Sequence, residues 1–401
     1  MGERPASILV IAACQVAALA LWFSAAAVLP QVVVEYALSP GHAALLSSAV
    51  QAGFVAGTLA SATLGLADRV EPRRLFSAAA LAGACANAAL LLVPMDSPAA
   101  IVLRLLTGAS LACVYPVGMR MVAAWARGDL GLLIGILVGA LCLGSAAPHL
   151  LHALGGVEWR ATIAATSACA LLAAALVHAA RTGPLWRPAP RFDPGAMLAI
   201  FRDPAMRLAL AGYLGHMWEI YAMWAWLGVF LDEAFRGADA DAGARAARLV
   251  AFAAIGLGGL VGCVAGGLLA DRVGRTRLTI WSMAASGTCA IAAGLLADAS
   301  PAVITVVCLL WGLSICADSA QFSAAIAELS PPDRIGTMLT AQTCCGFLLT
   351  LATVQGLPHA VAAIGWGGAF ALLAVGPMLG VAAMAALRRR PESLRLAGGR
   401  R

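Results

Sequence analysis

Inside a stretch otherwise apolar enough to cross a membrane, Gly215–Trp226 reads GHMWEIYAMWAW, placing His216, Glu219, Tyr221 and three tryptophans within twelve residues. A carboxylate at the bilayer centre costs about 2.5–3.5 kcal/mol on insertion scales, so Glu219 should not face lipid. At about 100° per residue, Gly212, Gly215, His216, Glu219, Met223 and Trp226 share one face of a helix, while Trp218, Tyr221 and Trp224 point elsewhere. His216 lies one turn from Glu219, close enough to share a proton or a hydrogen bond. A second stretch repeats the theme: Trp311, Ser314, Asp318 and Gln321 share a face, with Asp318 midway along its own apolar run. Two intramembrane acids on separate helices support a proton relay or contact with a cation.

These side chains need a scaffold, and composition defines it. The chain has 401 residues, of which 62% are hydrophobic and only 11% charged. A soluble domain averages roughly 45–50% apolar and about 25% charged residues. Continuous, non-alternating apolar runs of eighteen residues or more recur along the whole length, which predicts an all-α integral membrane protein rather than a barrel. Twelve spans are expected, near 7–29, 43–66, 75–94, 98–124, 131–153, 159–180, 204–231, 247–270, 278–297, 301–328, 336–357 and 361–387. The Pro- and Arg-rich segment RTGPLWRPAPRFDPGAMLAIFRD divides them into six-helix bundles at 1–180 and 204–387, with a linker at 181–203 and a basic tail at 388–401. The first span is expected to act as an uncleaved anchor.

Every basic residue is arginine, and the net charge is +6. Arg69, Arg73, Arg74, Arg127, Arg181, Arg187, Arg191, Arg272, Arg275, Arg277 and Arg334 fall in alternate loops or the linker. Only Arg160, Arg236, Arg245 and Arg248 stand clearly in loops on the other side, among acids such as Asp96, Asp232 and Glu233. The positive-inside rule then places both termini in the cytoplasm, and this distribution argues against a nucleic-acid partner. The eleven cysteines stand singly in apolar runs, apart from Cys344 and Cys345, with no CxxC or Cys/His pattern. They read as small packing residues, with no metal expected.

The two halves repeat. GLADRVEPRRLF after span two matches GGLLADRVGRTRLT after span eight, setting Asp68 and Asp271 about 200 residues apart. LLTGASLACVYP in span four matches LLWGLSICADSA in span ten, with Asp129 and Asp333 at equivalent places beyond. Paired six-helix repeats are a secondary-transporter architecture.

Over essentially its whole length the chain resembles the major facilitator superfamily. Gly267, Asp271, Arg272, Gly274 and Arg275 fit that family's loop signature. The first copy keeps Asp68, Arg69, Arg73 and Arg74 but has Leu64 and Glu71 where glycines are expected. The resemblance implies a gating latch in these loops, made in one state and broken in the other. It also implies that spans one, four, seven and ten line a central cavity. On that reading Glu219 carries the proton or contacts a cation, assisted by His216, with Asp318 and Gln321 as the facing wall. Trp22, Ser24 and Gln51 are further wall candidates. Arg104 and Gly108 resemble the family's arginine-glycine motif, but Arg104, near the end of its span, can equally snorkel to the surface. Gly135, Gly139, Gly144 and Pro148 resemble a degenerate antiporter motif, or serve close helix packing. His149 either lines the path or sits near the outer interface.

The expectation is a proton-coupled secondary transporter of a small organic or drug-like molecule, working by alternating access, with export by antiport slightly ahead of uptake by symport. A proton gradient would supply the energy, with no cofactor. The chain would act as a monomer in the bilayer of a bacterial inner membrane. No His-rich box, Ser-His-Asp set or GxxxxGK[ST] loop suggests an enzyme or a nucleotide-driven pump. A non-transporting receptor or scaffold would have no need of intramembrane Glu219 and Asp318.

Overall fold

The computed structural model describes residues 3–127, 130–154, 158–186, 192–236, 240–332 and 334–401, without the side chains of residues 67, 68, 130, 131 and 240. Asp129, Asp333, Arg187, Arg191 and the Asp68 side chain therefore lie outside the described residues. Ten described helices are long and apolar enough to cross a membrane. One of them, Ile335–Arg389, is broken at Gly365 (φ 69°, ψ 176°), a conformation that glycine adopts readily, so it supplies spans eleven and twelve. The 31-residue helix Pro204–Ala234 stands outside the ten because of the polar residues that drew attention to it. At 1.5 Å per residue it is still about 46 Å long, more than the ~30 Å of hydrocarbon. Counted so, the architecture matches the twelve expected spans, although span one runs Glu3–Tyr36 and exceeds its expected limits at both ends.

Three spans are interrupted at mid-length. Span one stops at Leu19 and restarts at Ser24. Span four stops at Leu111 and restarts at Tyr115; span ten stops at Ala317 and restarts at Ser319. Tyr115 and Ser319 occupy matching positions in the repeated sequence, so the repeat extends to the helix breaks themselves.

Small residues bring helices to backbone contact. A Cβ on Gly53 would lie 1.9 Å from the Leu105 carbonyl, and one on Gly108 2.0 Å from that of Val50, locking span two against span four. Gly266 and Gly312 do the same between spans eight and ten, where a Cβ would lie 1.9 Å from the carbonyls of Ala317 and Ala254. The halves meet where span five packs on span eight, span two on span eleven, and span one on span seven. Gly135 and Gly139 of span five abut span eight and Gly144 abuts span one, so these glycines sit at close helix contacts. Leucines and valines such as Leu81, Leu172, Val306 and Leu379 remain on the outside, as hydrocarbon requires.

Candidate substrate cavity and proton site

Between the halves lies a cavity of about 1070 Å³. Its mouth carries Arg69, Gly267, Asp271 and Arg275, on the face of the arginine-rich loops. Its far end is aromatic and drawn from both halves. Phe54 of span two stands 4.7 Å from Phe347 of span eleven, and Tyr221 of span seven stands 4.9 Å from Phe347, measured between ring centroids. Trp22 backs this layer at 4.9 Å from Phe54 and 5.5 Å from Phe347, and Phe23 packs on Tyr221 and Trp224. Such tilted ring pairs are stabilising beyond the area they bury, by about 0.5–1.5 kcal/mol each.

The face of span seven turned to the cavity is not the one the polar residues suggest. Tyr213, Met217, Ile220, Tyr221 and Trp224 line it, with His216 at its edge. Tyr221 and Trp224, read from sequence as pointing elsewhere, are wall residues. Glu219 is turned into the second bundle, fully buried, where Oε1 accepts from Trp311 Nε1 at 2.7 Å and Oε2 from Ser286 Oγ at 2.8 Å. The carboxylate thus avoids lipid by finding two donors on spans nine and ten rather than water. Met223 is buried in the same packing, and Trp226 donates to the Val354 carbonyl at 2.9 Å.

His216 partners Asp318 instead of Glu219. Its Nδ1 lies 3.0 Å from Asp318 Oδ1, and its Nε2 lies 3.2 Å from Ser319 Oγ. Asp318 reaches this position because span ten breaks there (φ −99°, ψ −9°). The break also resets the helical phase. Gln321 consequently lines the cavity, whereas Ser314 bonds its own helix through the Leu310 carbonyl at 2.8 Å. His216 is the junction of the site: it lines the cavity, and the buried Asp318 carboxylate lies 3.0 Å from its ring.

Arg104 neither lines the cavity nor snorkels. It is fully buried and donates to the carbonyls of Trp22 (2.6 Å), Leu21 (3.1 Å) and Leu46 (3.3 Å), to Ser24 Oγ (3.0 Å) and to Asn87 Oδ1 (3.2 Å). The break in span one leaves carbonyls without helical partners, and the guanidinium fills that role. Asn87 extends the clasp to Thr166 and Ser167 of span six. Ser24 therefore belongs to this network, Trp22 lies behind the aromatic layer, and Gln51 is buried with its amide against the Ser47 and Ser48 carbonyls of its own helix. His149 is buried beneath Gly228 of span seven, away from the cavity wall.

In the loops, Glu71 has work that explains its replacement of a glycine. It caps the helix beginning at Pro72 by accepting from the Arg74 N–H at 3.0 Å, and it pairs with Arg73 at 2.7 Å. Arg275 grips Glu328 of span ten through two bonds of 2.6 and 2.8 Å, and also donates to Gln321 at 2.7 Å. Gly274 (φ 92°) leaves room for the tail, since a Cβ would lie 2.2 Å from the Arg401 carbonyl. Arg400 donates to the Asp271 carbonyl. Arg272 follows Asp271 in the last turn of span eight.

With fold and cavity described, kinship is direct. The Major Facilitator Superfamily model matches residues 11–354, and the chain belongs to that family of membrane transporters. Among solved structures, a D-xylose-proton symporter is similar with a TM-score of 0.73 at 16% identity, covering 97% of this chain and 99% of that one. The proton:xylose symporter XylE bound to 6-bromo-6-deoxy-D-glucose gives 0.73 at 14% identity, covering 96% of each. At these identities the likeness is one of fold. No curated protein matches the chain by sequence.

Proposed function

We propose that the chain is a proton-coupled secondary transporter of a small, largely apolar organic molecule, exporting it by antiport through alternating access. The observation that carries this reading is the position of His216, on the wall of the inter-half cavity with its ring held by Asp318. An imidazole ring nitrogen can accept or donate a proton. Cargo and proton would therefore use one chamber from one side, and binding of either can exclude the other, which is what antiport requires. The chamber is as large as the upper range of small-molecule pockets, about 1,000 Å³. Its aromatic far end favours flat or apolar cargo over a polyol, and His216, Gln321 and Ser319 supply a few polar contacts.

On this reading the protein sits in a bacterial inner membrane with the arginine-rich loops and both termini cytoplasmic, and the cavity opens to the inside. The bundles 1–180 and 204–387 then rock about the cavity as a monomer, with residues 181–203 as their linker and the tail 388–401 lying on the cytoplasmic loops. In the opposite state the mouth closes, and the Asp271, Arg272 and Arg69 loops approach each other as a latch.

The test is untargeted metabolite profiling of cells and medium, comparing overexpressed wild type with His216→Gln at matched membrane levels. A compound depleted from cells and enriched in medium by wild type alone is the expected result. The reverse distribution would make the protein an uptake symporter. Equal profiles, with a pH gradient imposed, would refute the role of His216.

A further inference from the structure

Three cysteines scattered through the sequence meet at one point. Cys142 Sγ lies 3.9 Å from Cys263 Sγ and 3.8 Å from Cys316 Sγ, and all three sulfurs fall within 4.8 Å of one another. Cys142 belongs to span five in the first half, whereas Cys263 and Cys316 belong to spans eight and ten in the second. All three are buried, yet Cys142 also forms part of the cavity wall. We infer that Cys142, Cys263 and Cys316 form a binding site for one soft, thiophilic cation, entered from the cavity and held jointly by the two halves.

The convergence of the three thiols carries the argument, and their spacing is compatible with it. With metal–sulfur bonds of about 2.3 Å, neighbouring sulfurs stand about 3.8 Å apart around a tetrahedral centre and about 4.0 Å apart around a trigonal one. The two separations from Cys142 match these values, and the third lies within 4.8 Å. Non-bonded contact alone also sets heavy atoms about 3.5–4.0 Å apart, so what singles out this place is the convergence of three thiols from three spans of two halves. The backbone is also shaped around the cluster. Residues Ala253–Gly258 form a π-helical turn, a feature frequent at functional sites, and it ends directly before Gly259. A Cβ on Gly259 would lie 2.8 Å from Cys142 Sγ and 3.2 Å from Cys316 Sγ, so the missing side chain makes room for the sulfurs.

The donor set selects the ion. An all-sulfur cluster discriminates against Mg²⁺ and Ca²⁺ and favours Cu(I), Zn²⁺ or heavier closed-shell ions such as Cd²⁺. Each thiol that ligates gives up its proton, and the cavity provides the route by which protons leave and the cation enters. A bound ion joins span five to spans eight and ten, so it arrests any cycle that separates the halves along this seam.

The test uses the purified full-length chain, reduced and then freed of reductant, titrated with Cd²⁺. Binding is read by equilibrium dialysis and by the ultraviolet thiolate-to-cadmium charge-transfer band. One Cd²⁺ per chain is expected, with at least about tenfold weaker binding in each of Cys142→Ser, Cys263→Ser and Cys316→Ser. Cys344→Ser and Cys345→Ser should bind as wild type does. Unchanged affinity in the three cluster variants, or no saturable binding at micromolar Cd²⁺, overturns the site. X-ray absorption on the wild-type complex stands apart from any folding defect: three sulfur neighbours support the site, and fewer than three overturn it.

Discussion

Arg104 offers the sharpest perturbation, because the structure places it in a buried hydrogen-bond network rather than on the cavity wall. Its guanidinium makes five hydrogen bonds, two of them to carbonyls at the break in span one. None of these acceptors is a carboxylate, so the charge is stabilised by carbonyl, hydroxyl and amide dipoles alone. In Arg104→Lys, an ammonium can donate at most three of the five bonds. With bonds to a charged group worth about 1.5–3 kcal/mol each, the loss should be about 3–6 kcal/mol. Arg104→Ala also leaves a void and strips Trp22 O of its shortest contact, whereas Leu21 O keeps the Ser24 hydroxyl at 3.0 Å. That variant should fall below the 5–15 kcal/mol by which folded proteins are ordinarily stable. The assay is thermal unfolding of purified protein in detergent, followed by tryptophan fluorescence, with monodisperse yield as the second readout. Arg104→Lys should melt well below wild type and retain transport in proportion to folded protein. A lysine or alanine variant with wild-type melting but altered proton dependence would refute the clasp.

Glu219 should behave in the same spirit but more mildly. In Glu219→Gln the amide oxygen keeps the Trp311 bond and the Ser286 hydroxyl can turn to accept, so a loss of about 1–2 kcal/mol in stability is expected with transport retained; Glu219→Ala orphans the Trp311 N–H and opens a void, at about 3–5 kcal/mol. Folded Glu219→Gln without proton-driven transport would return the proton to Glu219. Gly266→Ala should cost about 1–3 kcal/mol or more by forcing spans eight and ten apart, whereas Gly356→Ala, with nothing within 4 Å of the added Cβ, should be neutral or stabilising by about 0.5–1 kcal/mol; paired melting curves compare them. Glu328 accepts from Arg275 and, at 3.0 Å, from the Ala397 N–H. Glu328→Gln should therefore loosen the tail, giving faster tryptic cleavage after Arg395 with a stability change of about 1 kcal/mol.

The architecture was legible because apolar run length and the repeated loop are one-dimensional signals. The site was legible only in its components. Sequence identified His216, Glu219 and Asp318 as unusual for a membrane span, and burial cost explains why each needs a partner. It could not assign the partners, since a buried acid is satisfied equally by water in a cavity or by an indole N–H and a hydroxyl on neighbouring helices. The cavity face of span seven turned out to be aromatic, a pattern that sequence alone cannot separate from packing. On span ten the expected face does not continue across the break: Gln321 beyond it lines the cavity, whereas Trp311 and Ser314 before it do not, because helical periodicity does not survive a break. Cys142, Cys263 and Cys316 gave no signal, being separated by 121 and 53 residues with no shared motif.

The broken helices explain why the polar groups stand where they do. A continuous helix satisfies its own carbonyls and presents only side chains; an interrupted one exposes backbone groups that need partners inside protein. In the first half the break in span one is filled by Arg104, which closes the bundle upon itself. In the second half the break in span ten carries Asp318, whose carboxylate reaches across to His216 instead. The two bundles have thus used helix breaks differently: one is filled by a fixed clasp, the other presents a carboxylate to a ring on the cavity wall. Substitutions in the first network should therefore change how much protein folds, and, on the proposed function, those in the second should change transport at matched amounts of folded protein.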